Sequence, residues 1–167
     1  MEHIAEAIHQ AQAYLRQHPD EARYTDSVAT AMILDGLHCT VTGPDGSTVE
    51  TDMPASVGGS ALAPSPGWLL RAAAASCVAT VMTMRAASSD RALTDLKVTV
   101  DSESDDRGIL ALDESVPAGP LSTRMTVSAG GLDQAELRAI AEWAVKHCPV
   151  TDAIARSVPL TLEVREA

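Results

Sequence analysis

The sequence predicts an α+β fold, and three observations carry that prediction. Strand-like segments group before and after one long apolar helix, followed by a second helix and a final strand, instead of alternating as in a doubly wound parallel sheet. The long helix, Trp68 to about Ala87, is interrupted between Leu69 and Met84 only by Arg71, Ser76, Thr80 and Thr83, so it is expected at the centre with cover on several sides. The chain has 167 residues, 46% hydrophobic and 21% charged, enough for one domain with its own core. With no Phe, two Tyr and two Trp, that core must be built from Val, Ile, Leu, Met and much Ala, which favours close helix approach.

Residues 3 to 17 place Ile4, Ile8, Ala11 and Leu15 at helical spacing, and Pro19 ends the run. Residues 1–22 therefore read as a helical extension ahead of a domain spanning 23–167. Val28 to Leu34, Leu37 to Thr42 and Thr48 to Asp52 read as a strand meander, the last two joined by the turn Gly43-Pro44-Asp45-Gly46. Pro54 to Pro66 is a loop by composition. Ser65 can cap the long helix and Pro66 can take its first position. Leu93 to Val100 and Thr123 to Ala129 read as strands separated by an acidic connection. Asp133 and Glu136 form a capping box for a second helix running through Leu137, Ile140, Ala141 and Ala144 to His147, where Cys148-Pro149 ends it. A turn of helix from Thr151 and a strand from Val158 to Val164 complete the chain.

Twelve basic against 23 acidic residues give 12 − 23 = −11, a field that repels a nucleic-acid backbone, and no basic patch is segregated from it. The first twenty residues lack the pattern of a signal peptide, and no run of ~18 apolar residues stands out as a membrane span, so a cytoplasmic protein without a membrane partner is expected. The run Asp101 to Asp105 has the alternation of a calcium loop. Its sixth position is Asp106 instead of Gly and its twelfth is Leu112 instead of Glu, so it reads as a solvated loop. No metal motif involves the five histidines, and neither a nucleotide loop nor a nucleophile elbow occurs; no metal and no cofactor are expected.

The three cysteines remain. None has the C-x-x-C spacing of a zinc or redox motif. Cys77 lies mid-helix on the stripe Leu70, Ala73, Ala74, Val81 and Met84, where a free thiol commonly packs as a small hydrophobe. Cys148 sits at a helix C-terminus, whose partial negative charge does not favour a thiolate, so it suits a resolving thiol better than an attacking one. Cys39 follows His38 in a strand, and consecutive strand side chains face opposite ways, which argues against a His38–Cys39 couple.

Gly58-Gly59, Pro64-Ser65-Pro66, the alanine-rich run Leu69 to Ser76 ending in Cys77, and Cys148-Pro149-Val150-Thr151 ahead of the last strand together resemble the OsmC/Ohr family of thiol-dependent hydroperoxide reductases. The resemblance spans about Ser27 to Val164. It implies an OsmC-like α+β fold with two long central helices packed on antiparallel sheets in an intertwined homodimer. It also implies that Cys77 attacks a peroxide oxygen, that Cys148 resolves the sulfenic acid as a disulfide, and that a dithiol reductant restores both. Active members commonly hold an Arg from the early strands against the reactive thiol with a Glu just after the helix-opening Pro. Here that position is Gly67, and no Arg occurs between Ser27 and Thr42. Arg71 lies ~120° around the helix from Cys77. Arg23, Arg107 and Arg124 are the cations left to approach through tertiary structure. The alternative reading is a small-ligand-binding or redox-sensing dimer on the same fold.

Overall fold

The structure is a computed structural model that describes residues 2–166, and its backbone contacts group into two compact units. The first runs from Glu6 to Ala73. It holds most of helix α1 (Glu2–Gln17), whose end is turned by a 3-10 segment, Pro19–Ala22. Tyr14 stacks on His18 at 4.4 Å and donates its hydroxyl to Glu21 at 2.6 Å, tying helix to turn. The predicted meander follows as an antiparallel sheet in the order β1 (Thr30–Asp35), β2 (His38–Thr42), β3 (Thr48–Thr51). The β2–β3 turn closes through Gly43 N–H to the Ser47 carbonyl, with the Asp45 carboxylate accepting from the Ser47 N–H and hydroxyl.

The loop after β3 is organised by a side chain that composition did not single out. Asp52 is 1% exposed, and its carboxylate accepts the N–H groups of Met53 at 2.7 Å, Ser60 at 3.1 Å and Leu62 at 3.1 Å. Its own N–H donates to the Pro64 carbonyl at 3.2 Å. One carboxylate thus gathers loop N–H groups that no strand or helix satisfies. Two glycines permit the fold-back. Gly58 ends a 3-10 turn at φ +89°, and a Cβ on Gly59 would lie 1.8 Å from the Met53 carbonyl oxygen. The loop delivers Ser65, whose hydroxyl caps Trp68 N–H at 3.3 Å, to the start of α2 (Pro66–Ala87).

The second unit begins at Ala74 and contains the remainder of the described chain with the first residues of α1. Here α2 buries Ala74, Val78, Met82 and Ala86, four residues apart along one stripe. Against Val78, Met82 and Ala86 pack Ile140, Ala144 and Cys148, from α4 (Gln134–His147) and the joint beyond it. A two-stranded antiparallel sheet, β4 (Thr94–Glu103) with β5 (Ser122–Gly130), adds Leu96, Val98, Met125 and Val127 to this core; Val98 pairs with Val127 and Val100 with Met125, so alternate residues face inward. A one-turn helix, α3 (Asp106–Ile109), interrupts the acidic connection. The Asp133 capping box forms as predicted, with Glu136 N–H to the Asp133 carboxylate at 2.9 Å. A short helix, α5 (Pro149–Ala155), follows α4 directly.

One expectation is corrected. Residues Val158 to Val164 form no strand, although apolar and polar residues alternate there, because a strand is defined by a ladder and no strand among the described residues pairs with the segment. Leu160, Leu162 and Val164 are almost fully exposed. Within the single chain the long helix is covered along one stripe, and Trp68, Leu70 and Met84 remain 40–47% exposed. By length and composition α2 could cross a bilayer, which the sequence reading did not foresee; its Val78–Met82–Ala86 stripe is spent on α4.

The Asp52 carboxyl is held below the ordinary carboxylate range, chiefly by the Leu62 N–H against the opposing cost of burial, with help from Met53, Ser60 and nearby His38. A depressed folded-state value stabilises the charged form above the unfolded value of ~3.9, and that stabilisation is lost as pH falls through the folded value. Asp52→Asn should therefore lower the melting temperature by roughly 5 °C at neutral pH. The gap to the wild type should close as the pH drops below about 4, measured by calorimetry across the acid range.

Candidate thiol site

Cys77 and Cys148 meet within the second unit, and their positions follow from the helix contact. Cys77 precedes buried Val78 on α2, at the edge of the packed stripe, and is partly exposed. Cys148 is fully buried. It closes α4 and opens α5 at once, with extended backbone at φ −82° and ψ 122°, because Pro149 cannot continue the first helix but is well placed to start the second. The Cys148 carbonyl accepts the Asp152 N–H at 2.9 Å as the first hydrogen bond of α5.

The two thiols lie close enough that each shifts the other's titration. Burial pushes the Cys77 thiol up, and its hydrogen bond to Cys148 pushes the same way, against a smaller pull from the Val150 N–H. Burial also disfavours the Cys148 thiolate, yet the hydrogen bonds from Cys77, from the N–H and hydroxyl of Thr151 and from the Val150 N–H outweigh it and bring Cys148 below its ordinary value. The two thiols therefore titrate as one coupled system, with Cys148 shifted down and Cys77 shifted up. This corrects the expectation of an ordinary thiol at Cys148. The sequence shows the residue at a helix C-terminus; the tertiary turn also places it beneath the N–H groups that open the next helix.

The other candidates are committed elsewhere. Cys39 lies in β2 of the first unit, where its thiol donates to the Thr40 carbonyl at 3.5 Å, and His38 pairs with Glu50 at 3.2 Å. Arg107 forks onto Asp105, which it holds at about 2, and reaches Asp113 at 3.7 Å. Arg124 bonds its cross-strand partner Asp101 at 3.1 Å. The sequence reading missed a clamp between α2 and α4: the Arg85 guanidinium lies 4.8 Å over the Trp143 ring, which stacks on His147 at 4.1 Å. His147 Nδ1–H donates to the Trp143 carbonyl at 2.7 Å. The spacing Trp143-x-x-x-His147 was the available signal, since residues four apart share a helix face. A groove of about 560 Å³ opens between β5 and the outer face of α4, lined by Met125, Val127, Leu137, Ala141 and Val145; neither thiol borders it.

The fold has many solved relatives. An organic hydroperoxide resistance protein OsmC from Legionella pneumophila superposes with a TM-score of 0.60 at 23% identity, covering 79% of this chain and 90% of that one. An OsmC-like protein from Mycoplasma pneumoniae gives 0.69 at 14% identity over 81% and 91%. The organic hydroperoxide resistance protein OhrB of Bacillus subtilis gives 0.56 at 20% identity over 84% and 98%. No curated protein matches the sequence. The family model described as OsmC-like protein matches residues 58–163, a span that includes Gly58-Gly59, the start of α2, Cys77 and the Cys148-Pro149 joint, and the chain belongs to that family.

Proposed function

We propose that the protein reduces organic or hydrogen peroxides with Cys77 and Cys148. The observation that carries this reading is the coupled pair of free thiols: a partly exposed Cys77, backed by a buried Cys148 that favours the anionic form. Similarity to the hydroperoxide resistance proteins supports the same substrate class. Once the pair has lost one proton, Cys148 can take the Cys77 proton as Cys77 sulfur attacks the outer peroxide oxygen. The O–O bond breaks, Cys77 becomes a sulfenic acid, and the departing alkoxide is protonated to the alcohol. Cys148 sulfur then attacks Cys77 sulfur, the S–O bond breaks, and hydroxide leaves with the proton as water. A dithiol reductant restores both thiols by exchange. No cofactor enters the cycle. A cytoplasmic setting suits thiols that must return to the reduced state.

Burial raises the Cys77 thiol, so the attack is slow compared with a thiolate held by a guanidinium. The same property favours the second reading, a redox-sensing or small-ligand-binding dimer that oxidises once without turning over. Steady consumption of peroxide with a dithiol present separates the two.

A homodimer also belongs to this reading. Met32, Ile33 and Leu34 of β1 are 55–64% exposed, and the alternating residues of the C-terminal segment lie open beside no ladder. A closed two-fold assembly is the economical way to cover such surface. Light scattering at micromolar concentration should give twice the chain mass; a folded monomer would contradict the dimer.

Cys77→Ser should abolish peroxide consumption. Cys148→Ser should allow one turnover and then accumulate sulfenic or over-oxidised Cys77 by mass spectrometry, whereas Cys39→Ser should turn over normally. Peptide mapping that finds Cys39 in the bridge would refute the pairing.

The ultraviolet absorbance of thiolate should rise in two steps, the first below the free-thiol value of ~8.5 and the second above it. Cys77→Ser should move the Cys148 step upward, because the strongest hydrogen bond to its thiolate is lost. Peroxide consumption by the wild type should rise with pH through the first step, since deprotonation creates the reactive form.

A further inference from the structure

Pro149 leaves a gap that Thr151 fills. Helix α4 ends at His147, so its last carbonyls lack intrahelical donors. The residue four beyond Val145 is Pro149, which has no N–H to offer the Val145 carbonyl. Thr151 Oγ1 donates to that carbonyl at 2.5 Å and lies 3.1 Å from the carbonyl oxygen of Cys148. The same hydroxyl, with the Thr151 and Val150 N–H groups, favours the Cys148 thiolate. A hydroxyl has one proton and rotates freely, so it can serve the carbonyl while the sulfur is neutral and turn to the sulfur when it is an anion.

We infer that Thr151 is a positioning residue for the thiol pair: its hydroxyl pins the Cys148-Pro149 turn to the last turn of α4 and keeps the Cys148 sulfur within bonding reach of Cys77 while the bridge closes. The inference rests on the peroxidase reading and specifies its second step, in which Cys148 displaces hydroxide from the Cys77 sulfenic acid. Cys148 is buried in the core cluster with α2 and α4 residues, so the backbone of this turn sets the position from which its side chain reaches Cys77. The Asp152 N–H holds the Cys148 carbonyl from the α5 side, and Thr151 supplies the tie from the α4 side.

The test compares Thr151→Val, which keeps the shape and deletes the hydroxyl, with Thr151→Ser, which keeps the hydroxyl. Thr151→Ala is measured alongside, so that a valine form that fails to fold does not remove the comparison. In the first arm the proteins equilibrate with reduced and oxidised glutathione; the two thiols lose two protons and two electrons to the glutathione disulfide, which becomes two thiols. Mass spectrometry measures the Cys77–Cys148 bridge. The equilibrium constant for the bridge should fall about tenfold in the valine and alanine forms and stay within about twofold of wild type in the serine form. A valine form equal to wild type, or a serine form as poor as the valine, would overturn the inference. In the second arm one equivalent of an alkyl hydroperoxide is added and quenched at intervals, and the valine form should accumulate Cys77 sulfenic acid ahead of the bridge. If the wild type leaves Cys77 reduced in this arm, the peroxidase reading fails, while the glutathione arm still decides the role of Thr151.

Discussion

The packing of α2 on α4 through small and aliphatic side chains is the constraint on which the rest of the structure depends. Val78, Met82 and Ala86 on one helix meet Ile140, Ala144 and Cys148 on the other side of the contact. Interaxial distance is set by the side chains at the contact, and alanine lets two helices approach closely. In a chain without phenylalanine, this contact is filled by Val, Met, Ala, Ile and Cys. The thiol pair is a product of that packing. Cys148 is itself part of the core, and Cys77 stands at the border of the same stripe, so the sulfurs meet where the two helices do.

Electrostatics at the pair are supplied by neutral donors. Many of the arginines in this acidic chain are spent on nearby carboxylates: Arg107 on Asp105, Arg124 on Asp101, Arg156 on Asp152 and Arg91 on Glu136. These pairs are largely exposed and contribute little stability individually. Arg85 lies over Trp143, where it holds α2 to α4. The N–H groups of Val150 and Thr151 and the Thr151 hydroxyl stabilise charge at Cys148 through hydrogen bonds, which act over short range and favour the one sulfur they face. The two thiols consequently differ in character although their titrations are coupled.

A second organiser acts in the first unit. Three loop N–H groups converge on Asp52, and the same residue's N–H reaches the Pro64 carbonyl just before the helix cap. Gly58 supplies the left-handed turn, and Gly59 supplies the absence of a side chain where the chain passes the Met53 carbonyl. The loop read from composition as irregular is therefore held by specific hydrogen bonds that end where α2 begins.

The sequence by itself determined the α+β order of elements, the turn at Gly43 to Gly46, the Ser65 and Asp133 caps and the helix break at Cys148-Pro149. Each is local, and proline, glycine and capping side chains act within a few residues of where they stand. It also singled out Cys77 and Cys148, through motifs on either side of them. Tertiary structure alone decided the rest. Whether Val158 to Val164 is a strand depends on a ladder partner, which alternation of side chains cannot provide. Whether Asp52 is a surface turn residue or a buried acceptor depends on N–H groups up to ten residues away folding back onto it. The acidity of Cys148 depends on its standing between the end of one helix and the start of the next while Cys77 arrives from a third. Hydrogen bonds and burial act through space, and the groups that make them here are brought together only when the chain is folded.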